Sequence, residues 1–153
     1  MIKSLSVAMI GGGFMGKAHS IAYSASASVF GIGLRPNLEI VCDLSPERAN
    51  QRATDLGFSR HTDKWQDVVN DPRVDLISVC TPNNTHSEIS IAALEKGKHV
   101  WCEKPMSSSL EDSQIMAEVA EKSNSKTIVG YNYTKTPVVI HARKIIEKGT
   151  IGR

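Results

Sequence analysis

Residues 11–16 read Gly11-Gly12-Gly13-Phe14-Met15-Gly16 and fit the pattern G-x-G-x-x-G. The apolar run at residues 7–10 before them predicts a buried strand, and small and apolar residues at helical spacing follow them. In this setting the pattern is typical of a turn that binds a dinucleotide pyrophosphate. Gly11 permits the tight turn, Gly13 lets the phosphates approach the backbone, and Gly16 lets the helix pack close to the strand. The alternative, a merely flexible glycine loop, is disfavoured by the flanking elements.

Short apolar runs alternate with amphipathic stretches along the rest of the chain. They predict strands at residues 7–10, 38–42, 58–60, 74–80, 98–102 and 127–131. Helices are expected between them. The first should face inward through Met15, Ala18, Ala22, Ala25 and Val29, and the others should span residues 46–56, 63–70, 86–97, 110–124 and 137–149. We expect Ser45, Ser109 and a capping box at residues 85–88 to start three of these helices. Alternating strands and helices predict an α/β fold, a Rossmann-type doubly wound parallel sheet.

Composition limits the class of protein. A chain of 153 residues with 41% hydrophobic residues can form one domain with a core, and its net charge of +2 argues against nucleic-acid and membrane partners. No apolar stretch approaches the roughly 20 residues of a membrane span. The three cysteines are widely spaced, which predicts reduced, buried thiols in a cytoplasmic protein and no metal site.

Asp43 ends the second predicted strand, where a carboxylate accepts hydrogen bonds from the adenosine ribose. It lies further beyond Gly16 than the roughly 20 residues usual for this motif, and we expect the loop at residues 31–37 to hold the surplus. A 2′-phosphate at Asp43 would meet like charge, costing up to about 4 kcal/mol per unit charge. NAD is therefore favoured over NADP, although Arg48 offsets part of the repulsion. Asp43 could instead be a plain helix-entry residue.

Three polar segments follow predicted strands, at residues 81–86, 103–105 and 131–133. In an open parallel sheet the ligand crevice lies outside the carboxyl ends of the strands. These segments are therefore expected to line one crevice.

The same motifs, in the same order, resemble the N-terminal half of the Gfo/Idh/MocA oxidoreductases. The resemblance includes Gly11-x-Gly13-x-x-Gly16-x-x-His19, Thr81-Pro82-Asn83 with His86, Cys102-Glu103-Lys104-Pro105, Gly130-Tyr131-Asn132-Tyr133 and the closing segment at residues 147–152. It implies that Lys104 is the catalytic residue, reaching the nicotinamide and the substrate hydroxyl. It also implies that Glu103 contacts the nicotinamide ribose. The expected cofactor-binding set is Gly11, Gly13, Phe14, Met15, Gly16, Asp43, Leu44, Thr81, Pro82, Asn83, His86, Glu103, Lys104 and Asn132.

Neighbours of these motifs have more modest expected roles. Pro105 is expected to re-aim the chain, through a cis Lys104–Pro105 bond as a hypothesis. His19 is expected to be a packing or hydrogen-bonding histidine, and His86 to line the cofactor groove. Trp101 is expected to be a core aromatic. Thr134 stands where the family often carries arginine, which leaves an anchoring role there in doubt.

The resemblance also divides the chain. Residues 1–130 are expected to form the NAD(P)-binding Rossmann domain, and residues 131–153 to begin the connection to the family's second α/β domain, which this sequence lacks. That domain would supply the substrate wall, an Asp-x-x-x-His pair and the interface of a homo-oligomer. The isolated fragment is therefore expected to bind cofactor and turn over little.

The expected activity is hydride transfer between NAD(P) and a hydroxyl of a sugar, polyol or cyclitol. Two alternatives stay open. One is a non-catalytic NAD(P)-sensing regulatory module, which the intact Glu103-Lys104-Pro105 segment disfavours, since a sensor need not keep the lysine. The other is a relative that uses NAD to assist elimination or glycoside cleavage.

Overall fold

The computed structural model of the chain describes residues 3–152. The strands are β1 (Lys3–Ile10), β2 (Leu34–Cys42), β3 (Arg60–Thr62), β4 (Leu76–Val79), β5 (His99–Cys102) and β6 (Thr127–Val129). The helices are α1 (Phe14–Phe30), α2 (Pro46–Leu56), α3 (Trp65–Asn70), α4 (His86–Glu95), α5 (Leu110–Lys122) and α6 (Pro137–Glu147). No helix among residues 3–152 has the length and apolar character to cross a bilayer.

The six strands form one parallel sheet in the order β3-β2-β1-β4-β5-β6. The strand order reverses between β1 and β4, and this switch point is where a doubly wound sheet opens its ligand crevice. The predicted fold class is confirmed. The polar segments that follow β4, β5 and β6 all leave the sheet at this same carboxyl edge.

The centre of the sheet is the core of the molecule. Val7–Ile10 of β1 and Ile77–Val79 of β4 are buried on both faces, because helices cover both sides of a parallel sheet. Cys42 and Cys102 are buried at the carboxyl ends of β2 and β5. Burial raises the pKa of the Cys42 thiol to about 12 and that of Cys102 to about 11, so both remain protonated core residues.

Two of the three predicted helix caps are present. Ser45 accepts a hydrogen bond from the backbone N–H of Arg48, and Ser109 accepts one from Asp112. The capping box at residues 85–88 is wrong, although α4 does begin there. The Thr85 hydroxyl donates to Thr81 Oγ1 and to the Pro82 carbonyl instead, so it stabilises the preceding loop.

The predicted inward face of α1 is also wrong. The buried residues are Gly16, His19, Ser20 and Tyr23, whereas Ala22, Ala25 and Val29 are exposed. The close approach at Gly16 sets the rotation of the helix on the sheet. The polar side chains that this rotation turns inward find hydrogen-bond partners there, so burying them is not costly.

Several boundaries differ from the prediction. Residues 31–37 are not a loop, because α1 runs to Phe30 and β2 begins at Leu34, so the long helix and strand hold the extra residues before Asp43. The third strand lies at Arg60–Thr62, two residues later than predicted. Helix α6 ends at Glu147, and the face predicted for it is exposed apart from a half-buried Ile145.

Asp71 is a buried carboxylate beside α3 that pairs with two more exposed arginines. Its carboxylate accepts hydrogen bonds from the backbone and guanidinium of Arg73 and from Arg60. The hydrogen bonds from Arg73, followed by those from Arg60, hold the pKa of Asp71 well below its ordinary value.

We expect Asp71→Asn to lower the free energy of unfolding by about 2 kcal/mol at pH 7. A depressed carboxyl pKa stabilises the fold above the unfolded-state pKa of about 3.9, and this contribution is lost as the pH falls further. The difference from the wild type should therefore shrink below pH 4, as measured by urea unfolding across pH. Glu118→Gln, at an exposed i,i+4 pair with Lys122, is the control and should change stability by less than about 0.5 kcal/mol. A constant difference between pH 3 and 7 would contradict this account.

Candidate functional site

The glycine turn joins β1 to α1 at the switch point. Gly11 has a φ of 95°, and its N–H donates to the carbonyl of Cys42 at 2.9 Å. A Cβ at position 16 would collide with the carbonyl oxygen of Gly11, so the helix lies directly against the turn. The Cβ position of Gly13 meets open space instead. The turn is therefore closely packed against α1 at Gly16 and open at Gly13.

Helix α1 begins at this turn without a side-chain cap. Its first turn carries no acidic residue and its N-cap, Gly13, has no side chain, so neither offsets the positive end of the helix dipole or pairs with the first amide groups. Phe14, at the first helical position, is 85% exposed, and Met15 is half-buried. This arrangement suits an anion such as a phosphate.

A cleft of about 470 Å³ extends from the turn across the carboxyl ends of β2 and β4. Its wall includes residues 10–13, the segment at residues 42–44, and Thr81 and Pro82 from the loop after β4. Leu44 is 84% exposed at the rim. The cleft thus joins two of the predicted site segments to the glycine turn.

Asp43 lies at the inner end of this cleft, with its side chain almost fully buried. One carboxylate oxygen accepts from the backbone N–H of Leu44 at 2.8 Å and from Arg48 Nε at 3.0 Å. The other lies 3.7 Å from Arg52 Nε. Asp43 is thus paired with two guanidinium groups, of which the sequence analysis considered only Arg48.

The loop after β4 contains Thr81, Pro82 and Asn83. Thr81 and Pro82 line the cleft, and Asn83 is exposed at the start of a short 3-10 turn. His86 does not line the cleft as expected, because its side chain is completely buried. Both ring nitrogens lie 2.9 Å from backbone carbonyl oxygens, Nδ1 from Pro105 and Nε2 from Thr81. This imidazole therefore lies between two loops, with both ring nitrogens facing protein carbonyls, and in a neutral ring one of them donates a hydrogen bond.

Glu103, Lys104 and Pro105 follow β5 at the same edge. The Lys104–Pro105 bond is cis, as the sequence hypothesis required. Glu103 is buried, and its carboxylate contacts His19 Nε2 at 3.0 Å and the backbone N–H of Lys104 at 3.2 Å. Lys104 itself is exposed. The segment therefore presents a solvent-facing ammonium on a backbone anchored beneath it.

The segment after β6 is more open. Asn132 lies in a 3-10 turn at Asn132–Lys135, and it is exposed together with Tyr131 and Tyr133. Gly130, just before it, is buried against Glu103. The three predicted polar segments therefore share one edge, and the segment at residues 131–133 is the most exposed of the three.

Two parts of the site escaped the sequence analysis. Trp65 and Asp63 line the cleft directly after β3, at the sheet edge used by the other segments. Their position after a strand was an available signal, but that strand was predicted two residues too early. Ser78 and Tyr23, which support His19, had no such signal, because their contacts are long-range.

Comparison with known proteins agrees with this geometry. Residues 5–131 match the model of the GFO_IDH_MocA family, described as an oxidoreductase family with an NAD-binding Rossmann fold. The chain is 41% identical over 99% of its length to levoglucosan dehydrogenase of Pseudarthrobacter phenanthrenivorans and covers 39% of that protein. It is 33% identical over 76% of its length to myo-inositol 2-dehydrogenase of Thermotoga maritima, covering 35% of it.

Solved structures show the same relationship. The chain superposes on a levoglucosan dehydrogenase in complex with NADH with a TM-score of 0.94, at 41% identity, covering 99% of this chain and 41% of that one. The 153 residues thus span about two fifths of the length of these relatives. The glycine turn, the strand order and the family match together establish that the chain belongs to the Gfo/Idh/MocA oxidoreductase family.

Proposed function

We propose that this chain binds NAD across the carboxyl edge of its sheet, with the pyrophosphate on the amides at the start of α1. The observation that carries this proposal is the glycine turn at the switch point, followed by a helix that begins without a side-chain cap. The open space at Gly13 leaves room for a diphosphate to reach the backbone. In this proposal the pyrophosphate contacts are made by Gly11, Gly13, Phe14, Met15 and Gly16.

The adenosine end of the cofactor is assigned to the cleft beside Asp43. The Asp43 carboxylate would accept hydrogen bonds from the ribose hydroxyls. Leu44, Thr81 and Pro82 would flank the base and ribose. Trp65 adds an aromatic surface to the same cleft. This wall of mixed apolar and polar groups suits a nucleoside.

Asp43 also supports NAD over NADP. The negative charge of a 2′-phosphate would lie beside the buried carboxylate of Asp43, and these two like charges would repel each other. Arg48 and Arg52 compensate part of the charge of Asp43, so the discrimination should be moderate. The solved relative in complex with NADH supports the same choice.

The nicotinamide end is assigned to the loops after β4, β5 and β6. Asn83, Lys104 and Asn132 are the exposed polar side chains at this edge from the predicted set, while Glu103 lies beneath Lys104. When bound, NAD supplies the acceptor for a hydride from a carbinol carbon, and the hydroxyl proton released with it would pass to a base or to water. The Lys104 ammonium would then donate a hydrogen bond to the substrate oxygen and hold it toward that acceptor.

For the whole protein we propose a dehydrogenase acting on a hydroxyl of a sugar, polyol or cyclitol. The relatives named for levoglucosan and myo-inositol oxidation support this class, because both names denote cyclic compounds rich in hydroxyl groups. The exposed ammonium of Lys104 favours catalysis over a purely sensing role. Elimination or glycoside cleavage would use the same cofactor end and is the second candidate.

The remaining assignments concern organisation. We propose that residues 1–130 form the cofactor domain and that residues 131–153 lead toward a substrate domain that also carries a homo-oligomer interface. The exposure of every residue of α6 except Ile145, including apolar Val138 and Ile146, supports this division. A cytoplasmic location is proposed because the three cysteines are free thiols.

Calorimetric titration of the 153-residue chain tests cofactor binding. We expect saturable binding of NAD and weaker binding of NADP. Gly13→Ala should weaken NAD binding about tenfold or more, since a methyl group would hold the pyrophosphate off the amides, while the melting temperature stays unchanged.

Gly33→Ala is the matched control, because the Cβ position of Gly33 is equally open but lies at the opposite end of α1. It should bind NAD like the wild type. Absence of NAD binding by the wild type, or equal binding by the two alanine variants, would refute the proposal. Tighter binding of NADP than NAD would refute the assignment at Asp43.

A further inference from the structure

The segment that carries Lys104 is held by two buried histidines, one on each side. His19, from α1, contacts the side chain of Glu103, the residue before Lys104. His86, from α4, contacts the carbonyl of Pro105, the residue after it. The two imidazoles are 6% and 0% exposed, so both lie almost wholly inside the protein.

His19 completes a directed chain of hydrogen bonds. Because a carboxylate only accepts, the Nε2–H of His19 donates to Glu103 Oε1 at 3.0 Å. The Ser78 hydroxyl lies 2.9 Å from Nδ1, and the Tyr23 hydroxyl lies 3.1 Å from Ser78 Oγ. Burial raises the pKa of Tyr23 to about 12, which keeps its hydroxyl protonated as the first donor of the chain.

This chain of hydrogen bonds ends at the Glu103 carboxylate, next to the backbone of Lys104. Glu103 Oε2 accepts from the N–H of Lys104 at 3.2 Å, so the orientation of this carboxylate sets the backbone from which the lysine side chain projects. Removing the His19 contact would leave the buried carboxylate without its shortest hydrogen bond among the described residues.

His86 fixes the other side. Its Nδ1 lies 2.9 Å from the Pro105 carbonyl, and its Nε2 lies 2.9 Å from the Thr81 carbonyl of the cleft wall. Carbonyl oxygens only accept and a neutral imidazole has one N–H, so the ring holds Pro105 in the tautomer that carries the proton on Nδ1. In that tautomer the ring links α4 to the Lys104-Pro105 segment.

We propose that His19 and His86 are positioning residues for Lys104, and that together they aim its ammonium at the nicotinamide end of the site. This inference rests on the proposed binding of NAD. Each histidine would act through one particular ring nitrogen, Nε2 at His19 and Nδ1 at His86. A purely structural role would have no such dependence on the individual nitrogen.

Replacing each histidine by glutamine or by asparagine separates a positioning role from a purely structural one. The amide nitrogen of glutamine occupies about the position of histidine Nε2, and that of asparagine the position of Nδ1. His19→Gln therefore retains the donor to Glu103, and His19→Asn removes it. The order reverses at His86, where asparagine retains the donor to Pro105 and glutamine removes it.

The experiment measures acylation of Lys104 by an amine-selective reagent, by mass spectrometry, in the 153-residue chain with and without saturating NAD. In the wild type, we expect bound NAD to slow acylation of Lys104 about fivefold or more. His19→Gln and His86→Asn should keep this protection. In His19→Asn and His86→Gln, the protection of Lys104 should be about fivefold weaker, the equivalent of one buried hydrogen bond.

Calorimetric titration of each variant with NAD accompanies the labelling, and affinities should stay within about threefold of the wild type because the pyrophosphate site is untouched. His61→Gln, at an exposed strand residue, is the control and should behave as wild type. The two variants at each position are both polar and are compared with each other, so the test needs no alanine variant of a buried histidine.

Equal protection of Lys104 in all four variants would overturn the inference. So would protection that follows the melting temperatures of the variants instead of the opposite order of glutamine and asparagine at the two positions. A wild-type chain that binds NAD without protecting Lys104 would overturn the inference alone. A wild-type chain that shows no heat of NAD binding would overturn the proposed function, and this inference with it.

Discussion

Replacing Gly11 by alanine is expected to lower the free energy of unfolding by about 2–5 kcal/mol and to abolish NAD binding. The φ of 95° at Gly11 is unfavourable for a residue with a Cβ. The added Cβ would also lie 2.5 Å from the carbonyl oxygen and 2.7 Å from the carbonyl carbon of Cys80. These are backbone atoms at the end of β4, so the turn or the strand must move. Urea unfolding and calorimetric titration with NAD measure the two effects.

Gly57→Ala is the control that separates backbone strain from collision. Gly57 has a φ of 81° at the end of α2, but its Cβ position meets no atom within 4 Å. Its alanine variant should lose about 1–2 kcal/mol, from strain alone, and bind NAD normally. Equal losses of stability at positions 11 and 57 would show that the packing of the turn against β4 contributes nothing.

Gly130→Ala is expected to have the second largest effect, although Gly130 lies outside the predicted cofactor-binding set. A Cβ there would lie 2.5 Å from Glu103 Oε1, the oxygen that His19 contacts, and 3.3 Å from Trp101 Nε1. The carboxylate must leave His19, which strands a buried donor and costs about 1–3 kcal/mol.

Two measurements test the Gly130 variant. Urea unfolding should show the lost stability, and the NAD-dependent protection of Lys104 should fall to that of His19→Asn. Gly33→Ala serves again as the control. Unchanged stability together with unchanged protection would mean that the carboxylate moves aside freely, and the anchoring of Glu103 would then be of no consequence.

Much of the fold could be predicted from local patterns. The glycine turn, the serine caps at Ser45 and Ser109 and the alternation of apolar runs depend on residues close together in sequence, and the structure confirms each of them. The Lys104–Pro105 cis bond was also expected, from a motif of adjacent residues.

The errors share a different cause. The face of α1 was assigned from hydrophobicity, but its inward side chains include His19 and Tyr23, whose partners Ser78 and Glu103 are more than fifty residues away in the chain. His86 was assigned to the cofactor groove because it follows a polar loop. Its burial depends on Pro105, which only the folded sheet brings to it.

The amino-acid sequence by itself determined the class of fold, the place of the glycine turn and the three segments that meet at one edge, because strand, turn and cap preferences are local. Tertiary structure alone decided which polar side chains serve as anchors. Strands β1, β4 and β5 lie side by side in the sheet while remaining far apart in sequence, so hydrogen bonds that join α1 to Glu103 and α4 to Pro105 arise only after the sheet has formed.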